Sequence, residues 1–214
     1  MKAALLIINF QNDYFENGAL KIDNASETIP IINEIRTKYD NKFSSIFIIS
    51  DNRTETHISF NTSPYAKEEN LPFDNITLSS KGKFPPNCIE GTNGAALNPE
   101  MILKGNEIRI KKNEDKFKEE MSCFNVKMIR DIIQTDKINT IFLCGFTLEF
   151  SVGMTAIEGE KMGLDTYIIS ECTKSFNKNS EQSMLKNLNS KSIKIINYEK
   201  FKEIIGGIPD IKKE

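Results

Sequence analysis

The chain is 214 residues long, 39% hydrophobic and 27% charged, with 28 Lys and Arg against 30 Asp and Glu for a formal net charge of −2. That length fits one domain with a sizeable core, and the interspersed, nearly balanced charges leave no electrostatic footprint for nucleic acid or an anionic membrane surface. No apolar run approaches the ~20 residues that span a bilayer; Cys88, Cys123, Cys144 and Cys172 form neither a CxxC pair nor a disulfide framework, so reduced thiols in the cytoplasm are expected.

The first element is "AALLIIN" (3–9), apolar throughout, as a strand covered on both faces should be. It runs into "QNDYFENG" without a small-residue cleavage site and therefore reads as a strand, not a signal peptide. "ASETIPIINEIRTKY" (25–39) sets Ile29, Ile32 and Ile35 at helical spacing, with Pro30 early enough to be tolerated. "SSIFIIS" (44–50) is a second strand. Residues 51–105 break the rhythm and hold five of the seven prolines; a loop excursion of that length in an α/β domain points to function. Beyond it come a strand "NEIRI" (106–110), a helix "NVKMIRDIIQT" (125–135) and a strand "NTIFLCG" (139–145). The helix "SVGMTAIEGEKMG" (151–163), the strand "DTYIIS" (165–170), the helix "SEQSMLKNLN" (180–189) and the strand "KSIKIIN" (191–197) complete the series. The tail "GGIPDIKKE" is a candidate for disorder or subunit contact. Strands alternating with helices predict a three-layer α/β fold, a six-stranded parallel sheet with helices on both faces, in a single domain over 1–214.

In such sheets ligands bind beyond the carboxyl ends of the strands. Asn9, Asp51, Lys111 or Lys112, and the turn from Gly145 to Ser151 occupy those ends and are expected to converge.

At these positions the chain resembles the isochorismatase-like cysteine hydrolases, and most of all the nicotinamidase/pyrazinamidase branch. "ALLIINFQNDYFENGAL" resembles the family's opening strand, which ends in a catalytic Asp. "SDNRTETHISF" resembles its metal loop, "FPPNCIEGTNGAALNP" its Trp-Pro-x-His-Cys-x-x-Gly-Thr-x-Gly-Ala segment, and "GFTLEFSVGMTAIEGEKMGLDTYII" its nucleophile turn with the following helix and strand. These motifs keep one order over roughly residues 3–175. The resemblance implies an isochorismatase-like (Rossmann-like) fold, hydrolysis of nicotinamide to nicotinate, a bound metal such as zinc, and association into oligomers.

The departures from the pattern are chemical. Asn9 stands at the family's catalytic Asp and Ser151 at its nucleophilic Cys; Lys112, which continues the strand alternation after Ile110, is favoured over Lys111 as the family lysine. Of the implied metal ligands Asp51 and His57 remain, while Arg53 and Asn87 replace histidines. A carboxamide has no proton-accepting state near neutral pH, and a serine hydroxyl needs a base where a thiol needs little help. The expectation is therefore a degenerate family member, without the family metal, that binds a small pyridine-type ligand or associates with other chains, either its own copies or an active relative. The alternative is a hydrolase of small amides in which a neutral Lys112, freed of its counter-charge, activates Ser151. Two simpler roles remain open: Ser151 as an N-cap of the following helix, and Asn9 within a satisfied polar cluster. Tyr14 and Phe84 match positions whose aromatic rings sandwich the pyridine in nicotinamidases, so the resemblance implies an aromatic slot at both; plain core packing of the two rings is the alternative.

Overall fold

A computed structural model describes residues 1–66 and 84–211. The middle of the long excursion, with Pro72, lies outside the described residues. Six strands form one sheet in the order β3-β2-β1-β4-β5-β6, every pair parallel. They are β1 (Ala3–Ile8), β2 (Phe43–Asp51), β3 (Ile108–Lys112), β4 (Thr140–Phe146), β5 (Asp165–Lys174) and β6 (Lys194–Ile196). The helices are α1 (Thr28–Lys38), α2 (Lys127–Thr135), α3 (Gly153–Lys161), α4 (Lys178–Asn189) and α5 (Tyr198–Gly206). Among the described residues no helix is long and apolar enough to cross a membrane.

The alternating side chains of β1 divide the core in two. Ala3, Leu5 and Ile7 pack with Ile29, Ile32 and Ile35 of α1 and with Phe201 and Ile205 of α5. Ala4, Leu6 and Ile8 pack with α2, α3 and α4 through residues such as Ile129, Ala156 and Met184. Both faces of the sheet are thus covered, as the continuous apolar runs require.

Strand order reverses between β1 and β4, where a crevice opens at the carboxyl ends. The two strands approach closely there: Gly145 has φ +104°, and a Cβ on it would lie 1.9 Å from the Ile8 carbonyl oxygen. A side chain larger than hydrogen has no room at that point.

Local differences separate the elements from the sequence reading, among them the extension of β5 to Lys174. Strand β3 begins later and runs on to Lys112, because Asn106 and Glu107 turn to Arg36 instead. Helix α5 was not anticipated, although Asn197 caps it by accepting from the Lys200 amide at 2.8 Å. The tail is anchored as far as it is described: Ile208 is buried, and the Ile211 amide donates to the Asn41 carbonyl at 2.8 Å.

Candidate functional site

Asn9 follows β1 with φ 53°, a left-handed conformation that asparagine tolerates. Asp51 ends β2, and the register of β2 with β3 sets Lys112 directly beside it. Ser151 lies in a π-helical turn, Leu148–Val152, between β4 and α3. This corrects the capping expectation. Val152, not Ser151, holds the position before α3, and the Ser151 hydroxyl bonds to side chains across the crevice. Such turns within helices often accompany functional sites.

The centre of the cluster is the Asp51 carboxylate, which is fully buried. Its Oδ1 accepts from the Lys112 ammonium and from Asn113 Nδ2 at 2.7 Å. Its Oδ2 accepts from Asn9 Nδ2 at 2.9 Å and Tyr14 Oη at 3.0 Å, and Arg53 Nη1 lies 3.0 Å away. Burial alone would raise the Asp51 pKa; Arg53 and Lys112 outweigh it and hold the carboxyl well below the usual carboxylate range. Tyr14 moves the other way, its phenol raised by burial and by the Asp51 charge. Gln11 fixes the carboxylate's backbone: its Nε2 donates to the Asp51 carbonyl and its Oε1 accepts from the Asp51 amide, both at 2.8 Å.

Ser151 Oγ receives Asn9 Nδ2 at 3.3 Å and Lys112 Nζ at 3.4 Å. Lys112 Nζ also donates to the Glu120 carbonyl at 3.1 Å. Lys111 points outward, more than half exposed, toward Glu90. Of the two lysines, Lys112 is therefore the one in the site.

Asn9, Tyr14, Asp51, Arg53, Phe84, Asn87 and Ser151 line one cavity, joined by Leu20, Met121, Thr147 and Phe150. Its free volume is about 20 Å³, room for about one water. Phe84 meets Phe150 edge to face with ring centroids 5.2 Å apart, and Tyr14 stacks on Phe146 at 6.0 Å. Cys88 is buried, and burial pushes its thiol up, away from nucleophilic character.

The residues at the implied metal positions do not fit a divalent cation. The Arg53 guanidinium occupies the space between the oxygen donors, with Nη1 2.7 Å from Asn87 Oδ1 and 3.0 Å from Asp51 Oδ2, and Nη2 3.4 Å from Glu119 Oε1. Both ring nitrogens of His57 are engaged. Nδ1 accepts from the Ser59 amide at 3.2 Å and meets Ser59 Oγ at 2.8 Å; Nε2 lies 3.0 Å from the Lys118 carbonyl, which requires the proton on Nε2. His57 stands outside the cavity lining, and burial lowers its pKa. Among the described residues no group of three or more His, Cys, Asp or Glu could hold a metal.

Sequence reasoning missed Asn113, Gln11, Glu119 and Phe150. Gln11 follows β1 by three residues and Asn113 follows β3 by one, a placement that marks them in retrospect. Glu119 and Phe150 carry no such signal.

The isochorismatase domain model matches residues 3–200. The nicotinamidase of Acinetobacter baylyi is 29% identical over 187 residues, 82% of this chain and 83% of that protein. The pyrazinamidase of Pyrococcus horikoshii, solved in complex with zinc, superposes with a TM-score of 0.77 at 25% identity, covering 92% of this chain and 99% of that one. The yeast nicotinamidase bound to the inhibitor nicotinaldehyde superposes with a TM-score of 0.76 at 18% identity, covering 91% and 99%.

Proposed function

The chain belongs to the isochorismatase family, and from that premise we propose that it binds a small flat pyridine-type carbonyl compound without the covalent chemistry of its nicotinamidase relatives. One observation carries the reading: the two side chains that reach Ser151 Oγ, Asn9 Nδ2 and Lys112 Nζ, both face it as donors. The Asn9 amide nitrogen has no proton-accepting state, and Lys112 is ion-paired to Asp51 instead of being free to take the hydroxyl proton, without which serine does not attack a carbonyl. Lys112 is not freed of a counter-charge either, because Asp51 supplies one. That weakens the Ser151–Lys112 dyad as a working alternative.

We infer further that Arg53 replaces a metal ion, its guanidinium giving Asp51 the positive neighbour a cation would provide. The aromatic lining suits a ring, and admitting one requires Phe84, Phe150 or Met121 to swing aside, a side-chain movement common on binding. The same reading places the protein in the cytoplasm, in keeping with four free buried cysteines. It also has the chain assembling with its own copies or with an active relative.

The test is direct. Purified protein incubated with nicotinamide is expected to form no nicotinate above a blank while its melting temperature rises with ligand concentration. The double variant Asn9→Asp/Ser151→Cys is expected to gain amidase activity at least about a hundredfold over that background. Brisk turnover by the unmodified chain overturns the proposal. Labelling of Ser151 by a phosphonate probe, abolished in Lys112→Ala, would establish the dyad instead.

A further inference from the structure

The polar groups of the cavity wall are unevenly satisfied. Asp51 can only accept, so the nitrogen of the Asn9 amide must be the atom that faces it at 2.9 Å. That orientation turns Asn9 Oδ1 to the opposite side of the Cβ–Cγ axis, where it is buried and has no hydrogen-bond partner among the described residues. Ser151 shows the converse. Its oxygen already receives two donors, so its hydroxyl hydrogen must be directed elsewhere. Both residues line the same cavity. The wall thus carries an unpaired acceptor next to a hydroxyl with a proton to give. A primary carboxamide is the complement, with an oxygen that accepts and an N–H that donates on one carbon.

We propose that Asn9 is a specificity-determining residue whose Oδ1 accepts the N–H of a primary carboxamide while Ser151 donates to the carbonyl, so that the site takes the amide in preference to the corresponding acid or ketone. The inference rests on the reading that the cavity admits an aromatic carbonyl compound. A carboxylate fares worse for two reasons. It sets an anionic oxygen against Asn9 Oδ1 with no proton between them. Nor does it find a cation without a carboxylate already on it: the Lys112 ammonium faces Asp51, the Glu120 carbonyl and Ser151, and Arg53, though its Nε has no hydrogen-bond partner among the described residues, already pairs with Asp51 and Glu119 and bonds Asn87. A methyl ketone keeps the carbonyl but leaves the buried acceptor without its donor.

Calorimetric titration of the unmodified chain with nicotinamide, 3-acetylpyridine and nicotinate tests this, because 3-acetylpyridine replaces only the amino group by methyl. Nicotinamide is expected to bind at least about tenfold more tightly than either. In Asn9→Gly, which accepts the φ of 53° without strain, the amide-to-ketone ratio is expected to fall to within about twofold. Equal binding of the three compounds, or a ratio that persists in Asn9→Gly, overturns this proposal and leaves the binding function standing. Binding by none of them overturns both. Should Asn9→Gly fail to fold by circular dichroism, the ligand series on the unmodified chain decides alone.

Discussion

Two buried arginines sit at opposite ends of the sheet, and their surroundings differ in one respect. Arg36, at the end of α1, is fully buried and pairs with Asp40 and Glu107, with Asn106 Oδ1 at 3.0 Å. Arg53, beyond the carboxyl end of β2, pairs with Asp51 and Glu119, with Asn87 Oδ1 at 2.7 Å. The inventory is the same: one guanidinium, two carboxylates, one amide. Around Arg36 both carboxylates meet the same guanidinium, and the cluster ties α1 to the start of β3. Around Arg53 one of the two carboxylates, Asp51, also serves a second buried cation, Lys112, and a small cavity adjoins it. A buried ion cluster is therefore no sign of function by itself; the adjoining space and the unpaired atoms facing it make the difference.

The largest effect that sharpens this contrast is Asp51→Ala. It leaves both Lys112 and Arg53 without their shared partner and should cost about 3–5 kcal/mol in urea denaturation. Asp40→Ala leaves Glu107 on Arg36, and its loss should be only about 1 kcal/mol. Equal costs at the two positions would erase the distinction.

A smaller effect concerns pH. The only histidine, His57, lies near the Arg53 cluster, with Nδ1 3.8 Å from Glu119 Oε2. Burial lowers its folded-state pKa, so below the ordinary imidazole value of about 6.5 the unfolded chain binds the proton more readily and stability falls with pH. Melting curves between pH 7.5 and 5.5 should show a decline of no more than about 1.4 kcal/mol per pH unit, absent in His57→Gln. Substitutions around Arg36 should leave that slope unchanged. The smallest effect is expected one residue from the site: Lys111→Ala, on the exposed side of β3, should change stability by less than about 0.5 kcal/mol.

The fold was legible because the strands are apolar on both faces, and runs such as "AALLIIN" and "SSIFIIS" admit few other readings. Where polar side chains enter a strand the reading stopped short, as at Lys112 in β3 and at "ECTK" in β5. The site was legible in its members but not in its wiring. Asn9, Asp51, Lys112 and Ser151 follow from strand ends alone, and the structure gathers them. That Asp51 serves as counter-ion to Lys112 depends on strand register across 61 residues, which apolar periodicity does not encode. The π-helical turn at Ser151 was hidden for a related reason, since "LEFSVGMTAIEG" has the same apolar spacing as an ordinary helix start.

The backbone at residue 9 has an evolutionary consequence. Its φ of 53° excludes most side chains, yet it suits an amide and a carboxylate of the same shape alike. Asparagine and aspartate codons differ by a single base. A lineage can therefore cross between a site with a general base and one without, in either direction, with no rebuilding of the chain around it.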